Sequence, residues 1–172
     1  HEFAGEGARI GRNVFAASSD MTNAVYIKAN GAVATSTQAT YNGTANGDVY
    51  QEKTIVDYGG GAGSRAFIFT ANIKLVSGTI SSDAAIQMIF TNNAVTQVIA
   101  NLGSSLTSTS QRFAIATTTD AAGTLIRCAI RSDDAVVLEI TDWQLEESTG
   151  RADTTTPSEY APVDTPTGSE LV

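Results

Sequence analysis

The sequence of 172 residues has almost none of the side chains that catalytic and metal centres use most often. It holds one cysteine, Cys128, and one histidine, His1, so an internal disulfide and a thiolate metal cluster are excluded. Histidine-based acid–base catalysis, catalytic triads and histidine-ligated zinc are excluded with them. Cys128 shares its parity with Ile126 and Ile130, which predicts a small inward-facing hydrophobic residue on a strand.

Basic residues are also scarce, with 10 Lys and Arg against 18 Asp and Glu, a net charge of −8 and a pI near 4.4. Phosphate backbones and anionic membrane surfaces attract clustered basic residues, so we expect neither nucleic acid nor membrane as a partner. No apolar run approaches the roughly 20 residues of a membrane span. The charged fraction is 16% and Thr, Ser, Ala and Gly abound, which is typical of extracellular or virion β-proteins.

Helical periodicity is weak, whereas short segments of period two recur between turn residues. About nine or ten such segments follow at the spacing of a sandwich, and three Asn-Gly pairs suggest tight hairpins. We therefore predict an all-β, two-sheet antiparallel β-sandwich of the jelly-roll type over residues 13–148. Residues 1–12 are interpreted as a tag remnant and lead-in, since the chain opens on His-Glu-Phe, and residues 149–172 as a polar, proline-containing tail or linker.

The last predicted strand changes parity. Val136, Leu138 and Ile140 share one face, but the next large apolar residues, Trp143 and Leu145, belong to the other parity. A β-bulge near Thr141–Asp142 would restore them to the core, because one extra residue reverses the faces of a strand. Trp143 and Leu145 are accordingly predicted to be structural core residues, and Asp142 is left at an edge.

The same stretch carries a family resemblance. The segment WQLEES (residues 143–148), followed by TTTPSEYAPV (154–163), resembles the end of a domain common in tailed-bacteriophage structural proteins, which finishes in QLEEG and then ATPYEP or TTPTEYV. Upstream, RAFIFTANIKLVSGT (65–79) and SQRFAIATTT (110–119) are similar to its FSAWVKS and WQRFS strands. NVFAASSDMTNAVYIKANGAV (13–33) and ATYNGTANGDVYQ (39–51) look like its first two segments.

The resemblance implies a jelly roll like that of carbohydrate-binding modules, carried on a phage tail fibre, tail or capsid-decoration protein. It names no ligand. Ser110 stands where the family often has tryptophan, so a sugar-stacking tryptophan cannot be transferred to that position.

Sugar-binding faces need exposed aromatic rings, and this chain has only 7% aromatic residues. Tyr26 shares parity with Lys28 and Tyr50 shares parity with Glu52, so both tyrosines are predicted to face outward as ligand-binding residues. Lys28 and Tyr58 complete the predicted set. The alternative, that these tyrosines only fill pleated sheet surfaces, stays open. Tyr41 and Trp143 are weaker candidates.

A structural calcium is the one cofactor that the resemblance to jelly-roll modules suggests, and Asp142 is the first ligand to consider. The sequence has no spaced acidic motif of the EF-hand kind, which favours the alternative of solvated surface carboxylates. The other oxygen ligands that could take part are Asp20, Asp48, Asp133, Asp134 and Glu146.

Three functional hypotheses follow, none of them enzymatic. The first is a phage virion surface module that adheres to surface polysaccharide or decorates the capsid or tail beside other virion proteins. The second is a carbohydrate-binding module of a secreted bacterial glycoside hydrolase. The third is a fibre spacer, for which a homo-trimer is the expected assembly, although no heptad repeat is present to enforce one.

Overall fold

The computed structural model describes residues 13–15, 18–54, 65–92, 96–119 and 125–160. Within them the chain forms ten β-strands and a single 3-10 turn at Asp83–Ala85. The strands are β1 (Ile27–Ala29), β2 (Val33–Ala34), β3 (Gln38–Thr40), β4 (Gly47–Thr54), β5 (Ala66–Gly78), β6 (Ile86–Asn92), β7 (Thr96–Asn101), β8 (Gln111–Thr118), β9 (Leu125–Ser132) and β10 (Val136–Glu147). No helix in these residues has the length and apolarity needed to cross a membrane.

The strands form two five-stranded antiparallel sheets, as the sequence predicts. The first sheet has the order β1-β4-β9-β6-β7 and the second has the order β2-β3-β10-β5-β8. All the connections between successive strands except β2–β3 and β6–β7 therefore pass from one sheet to the other. This arrangement is a β-sandwich of the jelly-roll type.

The core lies between the sheets and is built from one parity of each strand. On β5 the inward residues are Phe67, Phe69, Ala71 and Ile73, all fully buried. Cys128 is also fully buried within the core, as its parity predicts, and burial raises the pKa of its thiol.

The bulge predicted in the last strand is present. The pairing of β10 with β5 shifts between Thr141 and Gln144, and Asp142 takes a left-handed φ of 54°. Trp143 and Leu145 are thereby returned to the core and are both fully buried. The Trp143 ring stacks on Phe69 with centroids 5.6 Å apart and meets Phe15 edge-on at 6.1 Å.

A segment near the start of the chain continues the second sheet beside the bulged half of β10. Asn13 donates from its side-chain amide to the Trp143 carbonyl at 2.8 Å, and Val14 N–H donates to the Leu145 carbonyl at 2.8 Å. The Trp143 N–H donates to the Ser18 carbonyl at 3.2 Å. The first half of β10 has β3 as its neighbour, so the N-terminal segment takes over where β3 stops.

Of the three Asn-Gly pairs only Asn30–Gly31 has a positive φ at both residues; Gly43 and Asn46 have one in the other two pairs, and none of the three closes a hairpin. Asn30 and Gly31, with φ of 52° and 82°, join β1 to β2, and these strands lie in different sheets. Glycine at position 31 is favoured by its φ of 82°, and a Cβ there would lie 2.3 Å from Nδ2 of Asn42, an exposed side chain that would have to move. These turns are corners at which the chain changes sheet.

After β10 the chain remains against the sandwich as far as Tyr160. We call residues 149–160 the C-terminal strap. Ser158 N–H donates to Oε1 of Glu146 at 2.7 Å, and Arg151 Nη1 lies 3.4 Å from the same oxygen. The Tyr160 and Ser18 hydroxyls are 2.8 Å apart. The division of the chain into a sandwich over residues 13–148 and a tail over residues 149–172 stays a prediction.

Candidate functional site

Tyr26 does not face outward, so that prediction is wrong. Its side chain is 2% exposed and its ring meets Trp143 edge-on at a centroid distance of 5.2 Å. The reason is local, because β1 begins only at Ile27 and Tyr26 N–H still bonds the Asn23 carbonyl in a turn. Alternation of faces does not hold through a turn. Burial raises the pKa of the Tyr26 hydroxyl.

The other predicted residues do not share one face. Lys28 is half-buried, pairs with the inward residue Val49, and donates from Nζ to the Tyr26 carbonyl at 3.0 Å. Tyr41 is buried and donates its hydroxyl to the Ile130 carbonyl at 2.8 Å. Tyr58 lies outside the described residues. Only Tyr50 is placed on an outer surface.

Tyr50 belongs to a row of apolar side chains that crosses the outer face of the first sheet. Each member lies directly opposite the next in the strand register, so the row runs at right angles to the strands. Five strands about 4.8 Å apart give the row a length of roughly 19 Å. We call this the apolar row, and its members from β1 to β7 are Ile27, Tyr50, Ala129, Ile89 and Ile99.

The two ends of the apolar row are more open than its centre. Ile27 is 39% exposed and Ile99 is 45% exposed, whereas Ala129 and Ile89 are each 2% exposed. Tyr50 is half-buried. Large apolar side chains on the solvent side of a sheet leave water only when a partner or a ligand covers them, so Ile27, Tyr50 and Ile99 give this face a capacity to bind.

Polar side chains line both flanks of the apolar row. On one flank Asp48, Arg131, Gln87 and Asn101 lie opposite one another across four strands. Gln87 donates from Nε2 to Oδ1 of Asn101 at 2.9 Å. On the other flank Glu52 lies opposite Arg127 and Arg127 opposite Thr91. Each flank lies about 7 Å from the row, which is two residues along a strand.

Ion pairs fix the charges on this face. Arg131 holds Asp48 through two bonds of 2.8 Å, from Nε to Oδ1 and from Nη2 to Oδ2, and the hydrogen bond to Asp48 raises the pKa of Arg131. Arg127 pairs with Glu52 through an Nε–Oε1 bond of 2.8 Å and a second contact from Nη2. Its guanidinium carbon also lies 4.3 Å from the centroid of the Tyr50 ring.

The predicted calcium ligand, Asp142, lies in the bulge on the second sheet. Asn72 donates from Nδ2 to its Oδ2 at 2.5 Å. Within the described ranges, no three His, Cys, Asp or Glu side chains are grouped so that they could hold a metal ion. The other acidic candidates have protein partners: Asp20 with Thr22, Asp48 with Arg131, Asp133 with Asn46, Asp134 with Ser81, and Glu146 with Ser158 and Arg151.

The outer face of the first sheet therefore combines an apolar row, open at its two ends, with guanidinium and carboxylate groups on both flanks and amide groups on one. This arrangement suits an extended ligand that has apolar flat faces and hydroxyl groups along its edges. The period-two patterns place Tyr50, Arg127 and Ile99 on strand surfaces, but they do not bring these residues together. The strand order does that, and no short-range signal in the sequence encodes it.

Comparison with known proteins identifies the fold. No protein-family model and no curated protein matches the chain. Among solved structures, the CBM22-1 xylan-binding domain of Paenibacillus barcinonensis Xyn10C is similar, with a TM-score of 0.56 and 11% identity over 81% of this chain and 96% of that domain. This likeness shows a jelly roll of the kind found in carbohydrate-binding modules.

Two further solved structures have lower TM-scores. A CBM4 structure gives 0.48 with 11% identity, over 81% of that chain and 73% of this one. The CBM22-1–GH10 modules of Clostridium thermocellum xylanase 10B, complexed with xylohexaose, give 0.49 with 6% identity over 86% of this chain. This chain spans 30% of that two-module protein.

Proposed function

We propose that this chain is a non-enzymatic glycan-binding module whose ligand lies along the apolar row. The observation that carries the proposal is the row itself, with hydrogen-bonding side chains on both flanks. Sugar rings present apolar C–H faces to such a strip and hydroxyl groups to its borders. A jelly-roll fold shared with a xylan-binding domain supports the same function.

The length of the apolar row favours an oligosaccharide over a single sugar. The row extends roughly 19 Å across the sheet. Its two exposed ends, Ile27 and Ile99, lie on the two edge strands of the sheet. A chain of several sugar rings lying across the strands would contact both ends at once, whereas one ring would contact at most the part near Tyr50.

For the biological setting we propose the surface of a tailed-phage virion, where the module would adhere to surface polysaccharide. The resemblance of WQLEES and TTTPSEYAPV to phage structural domains supports this setting. A carbohydrate-binding module of a secreted glycoside hydrolase is the second candidate, favoured by the likeness to the Xyn10C domain. Two alternatives to glycan binding remain. The module could decorate the capsid or tail beside other virion proteins, or it could be a trimeric fibre spacer.

Binding to a panel of neutral and host-surface polysaccharides tests the proposal, with Y50A as the diagnostic variant. Removal of a central aromatic contact commonly costs a factor of ten or more in affinity, so we expect Y50A to bind at least about tenfold more weakly. V33A is the matched control, because Val33 is 61% exposed but lies on the second sheet. Equal binding by wild type and Y50A would contradict the site, and no binding by wild type would contradict the function.

A further inference from the structure

Two ion pairs border Tyr50 on its own strand, and their geometries differ. Asp48 precedes Tyr50 by two residues and Glu52 follows it by two, so both carboxylates share the outer face with the ring. The Asp48–Arg131 pair is a parallel two-bond pair, with side chains only 7% and 25% exposed. Such bidentate pairs hold the guanidinium plane in one orientation.

The Glu52–Arg127 pair is held less firmly. Two of the three guanidinium nitrogens of Arg127, Nε and Nη2, approach the same carboxylate oxygen, Oε1 of Glu52. The side chains are 28% and 43% exposed, respectively, so water competes for both groups. An exposed pair of this kind contributes little to stability and gives way readily to another partner.

Arg127 also covers the aromatic ring. Its guanidinium carbon lies 4.3 Å from the Tyr50 ring centroid, which is a cation–π contact. In the strand register Arg127 lies opposite Glu52 and its neighbour Ala129 lies opposite Tyr50, so Arg127 reaches diagonally across β4 and β9 to the ring. The ring surface that Arg127 occupies is closed to a stacking sugar.

We propose that Arg127 is a displaceable cover on the glycan site, which a sugar ring must move aside before it can stack on Tyr50. The inference rests on the proposed function. It assigns different roles to two arginines that the sequence does not distinguish: Arg131 stays fixed to Asp48, and Arg127 moves. Once moved, the guanidinium remains within a side-chain length of the ligand's hydroxyl groups, beside Glu52.

The cover reduces affinity for neutral sugars. A sugar gains the stacking energy of the ring only after the cation–π contact is lost, so the two contacts compete. An exposed cation–π contact is worth a factor of about two to five in an equilibrium constant. Removal of the guanidinium should therefore strengthen the binding of a neutral glycan by about that factor.

The variant R127A tests the cover, because alanine removes both the charge and the stem that lies over the ring. R112A is the charge-matched control: Arg112 is exposed on β8 of the second sheet, where it bonds Thr70. The first readout is the rate of Tyr50 nitration by tetranitromethane, followed by peptide mass spectrometry. We expect a rise of about two- to fivefold in R127A and no change in R112A, in line with loss of the contact.

The second readout is the affinity for xylohexaose and cellohexaose, measured by calorimetry. We expect R127A to bind either sugar about two to five times more tightly than wild type, and R112A to bind as wild type does. An unchanged nitration rate would refute the cover. Faster nitration with weaker sugar binding would also refute it, because Arg127 would then be a direct ligand contact. If no protein binds any sugar while nitration still rises, the glycan-binding function fails and the cover over Tyr50 stands.

Discussion

The outer faces of the two sheets differ although their strands alternate in the same way. On the first sheet, outward residues such as Ile27 and Ile99 are 39% and 45% exposed. On the second sheet, the outward residues near the end of β10 are fully buried, and the C-terminal strap bonds one of them. These buried outward residues are Ile68, Thr70, Gln144 and Glu146. Residues 149–160 thus cover part of the second sheet's outer face, whereas Ile27 and Ile99 stay open to solvent at the two edges of the first sheet.

The largest expected difference is in the stability of variants of two glutamates, Glu146 on the second sheet and Glu52 on the first. Glu146 is fully buried, accepts a hydrogen bond from Ser158 N–H and forms an ion pair with Arg151. E146A should therefore lower the free energy of unfolding by about 3 kcal/mol, because it leaves these partners unpaired. Glu52 is partly exposed, and E52A should cost less than about 1 kcal/mol. Urea denaturation measures both. Equal losses of unfolding free energy in the two variants would show that Glu146 contributes no more to stability than Glu52. That result would contradict a stabilising contact between the strap and the second sheet.

Asp48 tests this comparison of the two sheets most strictly, because its carboxylate is buried although it lies on the outer face of the first sheet. It is 5% exposed and its carboxylate is held by two bonds from Arg131. D48A leaves that guanidinium without its partner, so we expect a loss of about 2 kcal/mol in urea denaturation. The milder variant D48N serves as the control, since its amide oxygen still accepts one bond. A loss as small as that of E52A would mean that both pairs on this face are loose.

Asp142 lies at the border between the covered and uncovered parts of the second sheet's outer face. The calcium prediction made for it gives an expected rise in melting temperature when calcium chloride replaces EDTA. A calcium concentration ten times the dissociation constant would add about 1.4 kcal/mol, or a few degrees. The variant D142N should remove the response. A melting temperature that is the same in calcium and in EDTA would exclude the site.

The smallest expected effect concerns the strap turn at Asp153. Hydrogen bonds from Thr156 and from Thr155 lower the pKa of this carboxyl below its usual value. Because the folded pKa is depressed, the stabilisation is fully present above the unfolded pKa of about 4 and is lost as pH falls through the folded pKa. Hydrogen exchange of the strap amides should therefore be faster in D153N at pH 7, with a smaller difference at pH 3. A difference that does not change with pH would contradict the role of the charge.

The strands and the core were predictable because period two is a local signal. The parity change between Ile140 and Trp143 required a bulge, and the bulge lies at Asp142. The prediction for Tyr26 was wrong for a related reason, because the alternation of faces was extended into a turn that ends just before Ile27. Parity predicts orientation only where the backbone is extended and paired.

The candidate face could not be predicted, because it depends on strand order. Ile27, Tyr50 and Ile99 are far apart in the sequence and become one row only when β1, β4 and β7 take their places in the first sheet. The Asn-Gly turns gave no help with this order. Asn30–Gly31 has the positive φ values of a tight hairpin turn, and yet the chain turns a corner between the two sheets there.

The contact between Ser18 and Tyr160 has a practical consequence. Their hydroxyl groups lie 2.8 Å apart although 142 positions separate the residues in sequence. Residues near the two ends of the described fold therefore lie side by side. A folded unit with adjacent attachment points can be spliced into a surface loop of a host protein without pulling that loop open. The sandwich therefore has the closely spaced ends that insertion into a surface loop requires.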